Sequence, residues 1–535
     1  MLLHATILAS FWPLTVSSIQ LDTNNRDSIR QAAAQVAQGL QHLYRPAQGI
    51  IGKWPDPYYW WESGAAWGGM IEYWHYTGDA EFNNVTHEAL AYQLSLSPTG
   101  DFNIPGEGFD TGNDDQAFWI IAAMSAAEYG FPEPPSPSPT WLQVAVNAFQ
   151  VFTQRWAKDS STCGGGLRWQ FQETNAGWNY KNAISNSLFF QISARLARYT
   201  GNQTYVDWSH RIWDWTASTG LIDNIYNVFD GSDVLLNCSQ LDHHQWSYNV
   251  GAFLYGSAAL ANYTVDKIWE QRTAGLLNAT STFLTPFENA TDVLFEAYCE
   301  RAGFCNVDQL SMKAYLIRWM AGTSLLTPFT SPRVREILRA SAPGAAAACN
   351  PACGSKWYVN GSDGTSGLGQ QLAVMELFYA LLADETTPPP KTQVSNQSQP
   401  NNIPDILATA SSSLSIPTPS ASGRPPFDGP KNPAASISAS GALPPCYIPD
   451  NGVPIQEDRT DCLPQQTATA TSNAGLSTVQ PSMPGKTKDA VSGGAKNDVG
   501  CLDTVFGVAV CVAVWVLIDW SGILDSNVIT LKERV

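Results

Sequence analysis

Two adjacent carboxylates, Asp114 and Asp115, are the residues of this sequence with the most evident capacity for chemistry. They precede an apolar run with helical character, Ala117 to Ala127, and Asn113 is a suitable N-cap for that helix. The helix dipole favours ionisation of both carboxyls, whereas the charge on each opposes ionisation of the other. The pattern therefore predicts two different pKa values, with one group ionised as a nucleophile and one protonated as a general acid.

Two other interpretations of Asp114 and Asp115 stay open on these residues alone. Acidic side chains in the first turn of a helix commonly act as capping groups. An aspartate pair also binds magnesium in prenyl-chain enzymes, but that site would need another carboxylate one turn later, where Phe118 stands. The choice depends on the rest of the chain.

The composition of the 535 residues changes sharply along the chain. Trp, Tyr and Phe are frequent up to about residue 385 and nearly absent afterwards. The net charge of −18 and the pI near 4.7 argue against nucleic acid, whose phosphates require clustered Lys and Arg. They suit a protein that works outside the cell in mildly acidic surroundings.

The first residues predict secretion. Residues 1–18 form a short apolar run that ends in small residues, which indicates a signal peptide cleaved near Ser18. Eight Asn-X-Ser/Thr sequons support export and surface exposure, at Asn84, Asn202, Asn237, Asn262, Asn278, Asn289, Asn360 and Asn396.

Six cysteines lie in the aromatic-rich part, and in a secreted chain an even set indicates disulfides. Cys299 and Cys305 are close enough in sequence to pair, as are Cys349 and Cys353, and Cys163 and Cys238 would then remain. The spacing of these cysteines does not resemble that of zinc ligands.

Helical periodicity recurs twelve times between residues 27 and 383. The helices are predicted at Asp27–Tyr44, Ser63–Thr77, Val85–Leu96, Asp114–Tyr129, Thr140–Trp156, Ile184–Thr200, Thr204–Thr219, Gln245–Tyr263, Val265–Leu284, Asp308–Leu325, Pro332–Ala348 and Gly367–Ala383. Short turns follow the second, sixth and eighth helices, whereas long loops rich in Gly and aromatic residues enter the even-numbered ones. This alternation predicts an all-α (α/α)6 barrel, with the even helices inside and the long loops at one open end.

The loops at that end supply aromatic and amide side chains of the kind that bind sugars. Stacking on the apolar faces of pyranose rings is a role for loop aromatics, and core packing is the alternative for each. The candidates are Tyr59, Trp60, Trp61, Trp178, Tyr180 and Trp246. For the neighbouring His243 and His244, a hydrogen-bonding or structural role is favoured over metal binding.

The chain after residue 385 differs in composition from the part before it. Residues 386–492 are rich in Pro, Ser and Thr, which predicts a disordered stalk with O-linked glycans. Cys446 and Cys462 could close a loop within it. Residues 493–535 contain an apolar segment, Val505 to Ile518, after small residues and a polar spacer, as in a signal for a glycosylphosphatidylinositol (GPI) anchor. The polar tail from Asp519 is atypical of such signals, so a retained marginal anchor or release of the chain stays open.

Several long motifs in order make the chain resemble glycoside hydrolase family 76, the endo-α-1,6-mannanases, and within it the fungal cell-wall branch with a GPI anchor. The resemblance covers Asp22 to about Ala383 and rests on Tyr59–Asp79, Gly112–Trp119, Cys163–Trp169, Tyr180–Asn186, Gln245–Asn249 and Asp308–Trp319. It implies an (α/α)6 barrel, in agreement with the helix pattern, and an enzyme that needs no metal or organic cofactor.

The resemblance also implies roles for individual residues. Asp114 would attack the anomeric carbon of an α-1,6-linked mannose, and Asp115 would protonate the leaving oxygen and then activate water or an acceptor sugar. Retention of configuration requires the two carboxyls to lie about 5–5.5 Å apart. Candidates for substrate contact are Trp60, Asn179, Tyr180, Asn182, Gln245, Trp246 and Tyr248.

The expected substrate is α-1,6-mannan or the mannose core of a GPI glycan, with β-glucan as a possible acceptor. We expect a monomer at the cell wall or the outer face of the plasma membrane. The alternative from another class is a mannan-binding wall protein without catalysis, and the intact Asp114–Asp115 pair argues against it. Hydrolysis and transfer are not distinguished by the sequence.

Overall fold

The computed structural model describes residues 18–45, 50–104, 111–264 and 266–390 of the chain. All of them belong to one compact unit within Met1–Asn432. The predicted signal peptide, the stalk beyond residue 390 and the C-terminal apolar segment lie outside the described residues, as do Asn396, Cys446 and Cys462. These assignments stay predictions.

The described residues form twelve α-helices, each within a few residues of its predicted position. They are α1 Arg26–Leu43, α2 Trp60–Thr77, α3 Asn83–Ser95, α4 Asn113–Tyr129, α5 Trp141–Lys158, α6 Ala183–Thr200, α7 Gln203–Thr219, α8 Ser247–Thr264, α9 Lys267–Ala279, α10 Met312–Leu326, α11 Ser331–Ala347 and α12 Leu368–Ala380. Short 3-10 helices occur at Val234–Leu236, Thr280–Phe283, Pro328–Thr330 and Ala383–Glu385. The prediction is wrong in starting α2 at Ser63, in ending α9 at Leu284 and in starting α10 at Asp308.

Five short strands were not predicted. The strands β1 Tyr180–Asn182, β2 Gly231–Asp233 and β3 Leu241–Asp242 form an antiparallel sheet in that order, and β4 Leu284–Phe287 pairs with β5 Ala290–Leu294. The first sheet lies between the entrances to α6 and α8, so it ties together two of the long loops at the open end.

The even-numbered helices close a ring. Each of them packs against the next, from α2 through α4, α6, α8 and α10 to α12, and α12 packs back on α2. Each odd-numbered helix packs outside, as α1 does on α12 and α7 on α6. This arrangement confirms the predicted (α/α)6 barrel.

Burial distinguishes the two rings. The outer helix α1 buries one stripe, with Ile29, Val36 and Leu40 among its buried residues, as expected for an amphipathic helix. In the inner helix α6 every residue from Ala183 to Arg198 is buried. A helix buried all round must be enclosed by other helices, as in the inner ring.

Small residues in α2 and α8 allow the inner helices to approach closely. A Cβ at Gly64 would lie 2.6 Å from the Trp119 ring, and one at Gly256 would lie 2.6 Å from the Phe190 ring. Because real Cβ atoms do not approach so closely, larger residues at these positions would push neighbouring helices apart.

Three disulfides stabilise the loops, and they confirm the pairing expected from sequence spacing. They join Cys163 to Cys238, Cys299 to Cys305 and Cys349 to Cys353. Among the described residues, none of the helices has the combination of length and apolar character that a membrane span requires.

The end of the barrel opposite to the long loops contains buried charges. Arg195 of α6 bonds to Glu128 of α4 at 2.7 Å, and both side chains are almost fully buried. Further toward the middle of the barrel, Arg318 of α10 pairs with Glu376 of α12. Glu72 of α2 accepts hydrogen bonds from the hydroxyls of Ser125 and Tyr129, each at 2.9 Å. Polar contacts therefore join the inner helices across this closed end.

The chain crosses the same end after α12. The carbonyl of Thr387 lies 3.2 Å from Nε2 of His75 near the end of α2, and Nη2 of Arg198 near the end of α6 donates to the carbonyl of Pro389 at 2.6 Å. We refer to residues 386–390 as the closing strap.

We expect Arg195→Met to lower the free energy of unfolding by about 3–5 kcal/mol, because it leaves Glu128 buried without its partner. Equilibrium urea denaturation measures this change. The matched control is Arg335→Met, which breaks an ion pair with Asp384 whose side chains are both more than a third exposed. That change should cost at most about 1 kcal/mol. Equal losses in the two variants would contradict this account of the closed end.

Candidate active site

Asp114 and Asp115 lie in the first turn of the inner helix α4, at the open end of the barrel. Oδ2 of Asp115 accepts a hydrogen bond from the backbone N–H of Gly112 at 2.6 Å, so Gly112 is the N-cap. The prediction of Asn113 as N-cap is wrong, because Asn113 is already helical and its side chain is used elsewhere. Its Nδ2 donates to the carbonyl of Arg168, and its Oδ1 accepts from Arg155.

The start of α4 is fixed by the segment that precedes β1. The backbone N–H of Asn113 donates to the carbonyl of Trp169 at 2.8 Å, and the N–H of Trp169 donates to the carbonyl of Tyr180 at 2.6 Å. A Cβ at Gly112 would lie 2.2 Å from Oδ1 of Asp114, so a glycine is needed there for space. Backbone hydrogen bonds thus link three segments, those of Asn113, Trp169 and Tyr180, and they hold the two carboxylates in place.

Asp114 is buried and has two hydrogen-bond donors. Its Oδ2 accepts from Nδ2 of Asn182 at 3.1 Å, and its Oδ1 accepts from the backbone N–H of Asp115 at 3.1 Å. Burial raises the pKa of Asp114 to about 7, the two donors oppose that shift, and the charge of Asp230 adds to it. The donors favour the ionised form of this carboxyl.

Asp115 is partly exposed to the cavity and lies near two other carboxyls, those of Asp114 and Asp308. Desolvation raises the pKa of Asp115 well above its ordinary value, and the charges of Asp114 and Asp308 raise it further. The hydrogen bond from Gly112 only partly offsets these effects. When one proton is shared by the pair, it therefore resides on Asp115, and Asp114 is the ionised member.

Both carboxyls line a cavity of 170 Å³ at the open end, which is large enough for one sugar ring. Two further carboxyls, Asp230 and Asp308, face the same space. Burial raises the pKa of Asp230 and that of Asp308 to about 6 in each case. The complete lining is Trp61, Asp114, Asp115, Phe118, Trp169, Tyr180, Asn182, Asp230, Tyr248, Asp308 and Met312.

A second cavity of 720 Å³ adjoins the first. Asp115 lines it but Asp114 does not, so the two carboxyls differ in which spaces they reach. The cavities share Trp61, Asp115, Trp169 and Asp308, and the second is otherwise lined by Lys53, Asp56, Pro57, Tyr58, Tyr59, Trp60, Thr111, Gln170, Asn175 and Ala176. Together they form a trough with the acidic pair at its narrow end.

Four of the predicted contact residues reach these cavities. Asn182 binds Asp114, and the hydroxyl of Tyr180 donates to Asp230 at 2.8 Å. Tyr248 lines the small cavity. Trp60 lines the larger one only in part, because its ring stacks on Trp119 and its Nε1 donates to Gln93.

Three predicted contact residues do not line either cavity. Asn179 lies beside Arg168, with Oδ1 3.5 Å from Nη1 of that residue. Trp246 packs edge-on against Tyr298, with the ring centroids 5.2 Å apart, and Gln245 precedes it before α8 begins. Of the other loop aromatics, Trp178 stacks on the Arg168 guanidinium at 4.3 Å rather than entering the trough.

Sequence reasoning missed Asp230, Asp308 and Trp169 as site residues. Asp308 opens one of the recognised motifs and Trp169 ends another, so position in those motifs was an available signal. No feature of the sequence pointed to Asp230, because only the pairing of β1 with β2 brings it beside Tyr180. Within the described residues there is no group of three or more His, Cys, Asp or Glu side chains arranged to hold a metal ion.

Comparison with known proteins gives a consistent result. The model of glycosyl hydrolase family 76 matches residues 28–393. The chain is 38% identical over 418 residues to mannan endo-1,6-alpha-mannosidase DCW1 of Saccharomyces cerevisiae, covering 74% of this chain and 90% of that protein. With the protein of the same name from Candida albicans it is 42% identical over 386 residues, covering 70% and 84%.

Solved structures agree. Dfg5 from Chaetomium thermophilum, crystallised with glucosamine, is 37% identical with a TM-score of 0.66 and covers 71% of this chain and 96% of its own. The GH76A α-1,6-mannanase of Salegentibacter sp. HEL1_6 is 17% identical with a TM-score of 0.53, covering 66% and 98%, and it shares the fold.

Replacing Asn182 by Ser should raise the pKa of Asp114 above about 7, because the amide donor that stabilises the ionised carboxylate is lost. Asn182 also caps α6 through the N–H of Ser185, and Ser is chosen because it can keep that cap. A pH titration of ¹³C-labelled aspartate carboxyls by NMR, with Asp114→Asn for assignment, measures the shift. An unchanged or lowered pKa would contradict the hydrogen bond.

Proposed function

The chain belongs to glycosyl hydrolase family 76, and from this premise we propose that it is a retaining endo-α-1,6-mannosidase that cleaves or transfers α-1,6-linked mannose. The observation that carries the proposal is the unequal environment of two adjacent carboxyls in one sugar-sized cavity. The relatives that are 38% and 42% identical over 418 and 386 aligned residues are named mannan endo-1,6-alpha-mannosidases, which supports the choice of substrate.

In the first step Asp114 attacks the anomeric carbon from the small cavity, and a glycosyl ester forms. Asn182 holds this carboxylate ionised and oriented through its hydrogen bond to Oδ2. Asp115 gives its proton to the leaving glycosidic oxygen as the C–O bond breaks. The sugar that leaves departs into the larger cavity, because Asp115 reaches both spaces and Asp114 only one.

In the second step Asp115, now ionised, removes a proton from water or from a sugar hydroxyl, which attacks the ester and releases Asp114. The anomeric configuration is retained after two displacements. Water gives hydrolysis and a sugar gives transfer, so the occupant of the 720 Å³ cavity decides the product. A large aromatic-lined space beside the acid favours a sugar acceptor.

We further propose that the protein is secreted and acts on mannan or GPI glycans at the cell wall, and that β-glucan can serve as acceptor. The apolar start of the chain, the sequons and the apolar segment near its end support export and anchoring. Five of the sequon asparagines are exposed, at Asn84, Asn237, Asn278, Asn289 and Asn360. Asn262 is a poor acceptor, because its Nδ2 already donates to the carbonyl of Leu326.

Purified protein should release new reducing ends from linear α-1,6-mannan, and Asp114→Asn or Asp115→Asn should lower kcat at least about 10³-fold with the fold intact. Chromatography of the products with and without an added acceptor oligosaccharide separates transfer from hydrolysis. The control is Asp207→Asn, a change at an exposed aspartate on the outer helix α7, which should not alter the rate.

The two carboxyls can be told apart with an aryl α-mannoside whose leaving group needs no proton. Asp115→Ala should still form the glycosyl ester from this substrate, whereas Asp114→Ala should not. Full activity of either Asn variant on mannan would remove the assignment, and a mannan-binding protein that lacks turnover would then be the better description.

The pH profile of kcat/KM should be bell-shaped, because turnover needs Asp114 ionised and Asp115 protonated. Asp230→Asn removes a charge that raises the pKa of Asp114, so the acidic limb should move to lower pH. Asp308→Asn removes a charge that raises the pKa of Asp115, so the alkaline limb should move to lower pH.

Each of these variants should shift mainly one limb of the profile, and each serves as the control for the other. Initial rates on α-1,6-mannan across pH, with the fold followed by circular dichroism, provide the measurement. The assigned roles would be contradicted if Asp230→Asn moved the alkaline limb, if Asp308→Asn moved the acidic limb, or if neither limb moved.

A further inference from the structure

Exposed aromatic rings gather at the open end of the barrel. Among the described residues, five large aromatic side chains are more than a third exposed: Tyr59, Trp169, Tyr298, Phe304 and Phe329. Four of them precede inner helices, and Phe329 alone follows one, at the turn after α10. Tyr59 and Trp169 already line the trough, so Tyr298 and Phe304 are the pair without a role.

These two rings belong to a cluster that we call the Tyr298 platform, made of His244, Trp246, Tyr298 and Phe304. Tyr298 lies edge-to-face with each of the others, at centroid distances of 4.3 Å to His244, 5.2 Å to Trp246 and 5.4 Å to Phe304. Its side chain is 40% exposed and that of Phe304 is 54% exposed. The platform does not line either cavity.

The platform is held rigidly despite its exposure. The disulfide between Cys299 and Cys305 closes the loop that carries Phe304. Just before Tyr298, the buried Glu296 accepts hydrogen bonds from the N–H and the hydroxyl of Ser247 at the start of α8. A mobile loop could hide its aromatic rings, but this one presents them in fixed positions, which is typical of a binding surface.

The platform is also close in sequence to two residues of the proposed active site. Trp246 stands two residues before Tyr248, and Phe304 stands four residues before Asp308. Tyr248 and Asp308 both line the small cavity, and they come from two different inner-helix entrances. A polymer that extends beyond the cavity on this side would therefore meet the platform.

We propose that the Tyr298 platform binds the part of an α-1,6-mannan chain that lies outside the two cavities, by stacking sugar faces on the rings of Tyr298 and Phe304. The inference rests on the proposed function. The rings of Tyr298 and Phe304 offer apolar surface beside the phenol hydroxyl of Tyr298, which suits a pyranose with apolar C–H faces and polar edges. The partly exposed carboxylate of Asp242, which pairs with His244, disfavours an anionic partner.

Binding in the inactive Asp114→Asn background tests the proposal by isothermal titration, with polymeric α-1,6-mannan and with α-1,6-mannotriose as probes. Added to that background, Phe304→Ala should weaken the affinity for the polymer about five- to tenfold, and Phe304→Trp should restore it. The affinity for the trisaccharide should change less than about twofold, because a short chain is held within the cavities.

The matched control is Phe329→Ala, which removes a ring of almost equal exposure, 52%, at the closed end and should change neither affinity. Equal losses for polymer and trisaccharide would overturn the platform as a separate surface, as would an unchanged polymer affinity in Phe304→Ala. If the platform binds a protein instead of mannan, the polymer affinity is also unchanged and the proposal fails.

The result is separable from the proposed function. Absence of turnover by the parent enzyme on both substrates would remove the enzymatic assignment, whereas selective loss of polymer binding in Phe304→Ala would still support the platform. Normal turnover with no selective loss would remove only the platform.

Discussion

Electrostatic repulsion between the neighbouring, partly desolvated carboxyls of Asp114 and Asp115 is the constraint on which the rest of this structure depends. Ionising both carboxyls is costly in free energy when they are so close together and desolvated. A single proton on the pair removes this repulsion. The surroundings decide where that proton resides, with an amide donor beside Asp114 and the charge of Asp308 beside Asp115. The two residues are of the same type, so the difference between their hydrogen-bond donors and neighbouring charges makes one the acid and the other the nucleophile.

Two repelling carboxyls keep their positions only if the backbone that carries them is rigid. The ring of inner helices supplies rigid backbone, and the loop before β1 pins the start of α4 through the carbonyl of Trp169. Helix α2 begins in the same way, since the buried Glu62 accepts the N–H of Tyr59 at 2.8 Å. The buried pairs Arg195–Glu128 at the closed end and Arg318–Glu376 in the middle of the barrel fix how neighbouring helices pack. Polar contacts thus determine geometry at both ends of an otherwise apolar barrel.

The sequence predicted much of this and failed in identifiable places. Periodicity gave all twelve helices, because inner and outer faces differ so strongly in burial, and cysteine spacing gave the three disulfides. The N-cap of α4 was wrong, because a glycine caps through its backbone and has no side chain to signal it. Asp230 was missed because the pairing of β1 with β2 places it beside Tyr180. That Trp246 packs on Tyr298 outside the two cavities could not be predicted, because the two residues are distant in sequence.

The closing strap fixes where the described part of the chain ends. Thr387 and Pro389 are hydrogen-bonded to residues near the C-terminal ends of α2 and α6, so residues 386–390 lie at the end of the barrel away from the trough. The described chain therefore enters its inner helices at the face that holds the acidic pair and finishes on the opposite face. The strap can bind the ends of two inner helices together without occupying any of the space that a sugar chain needs.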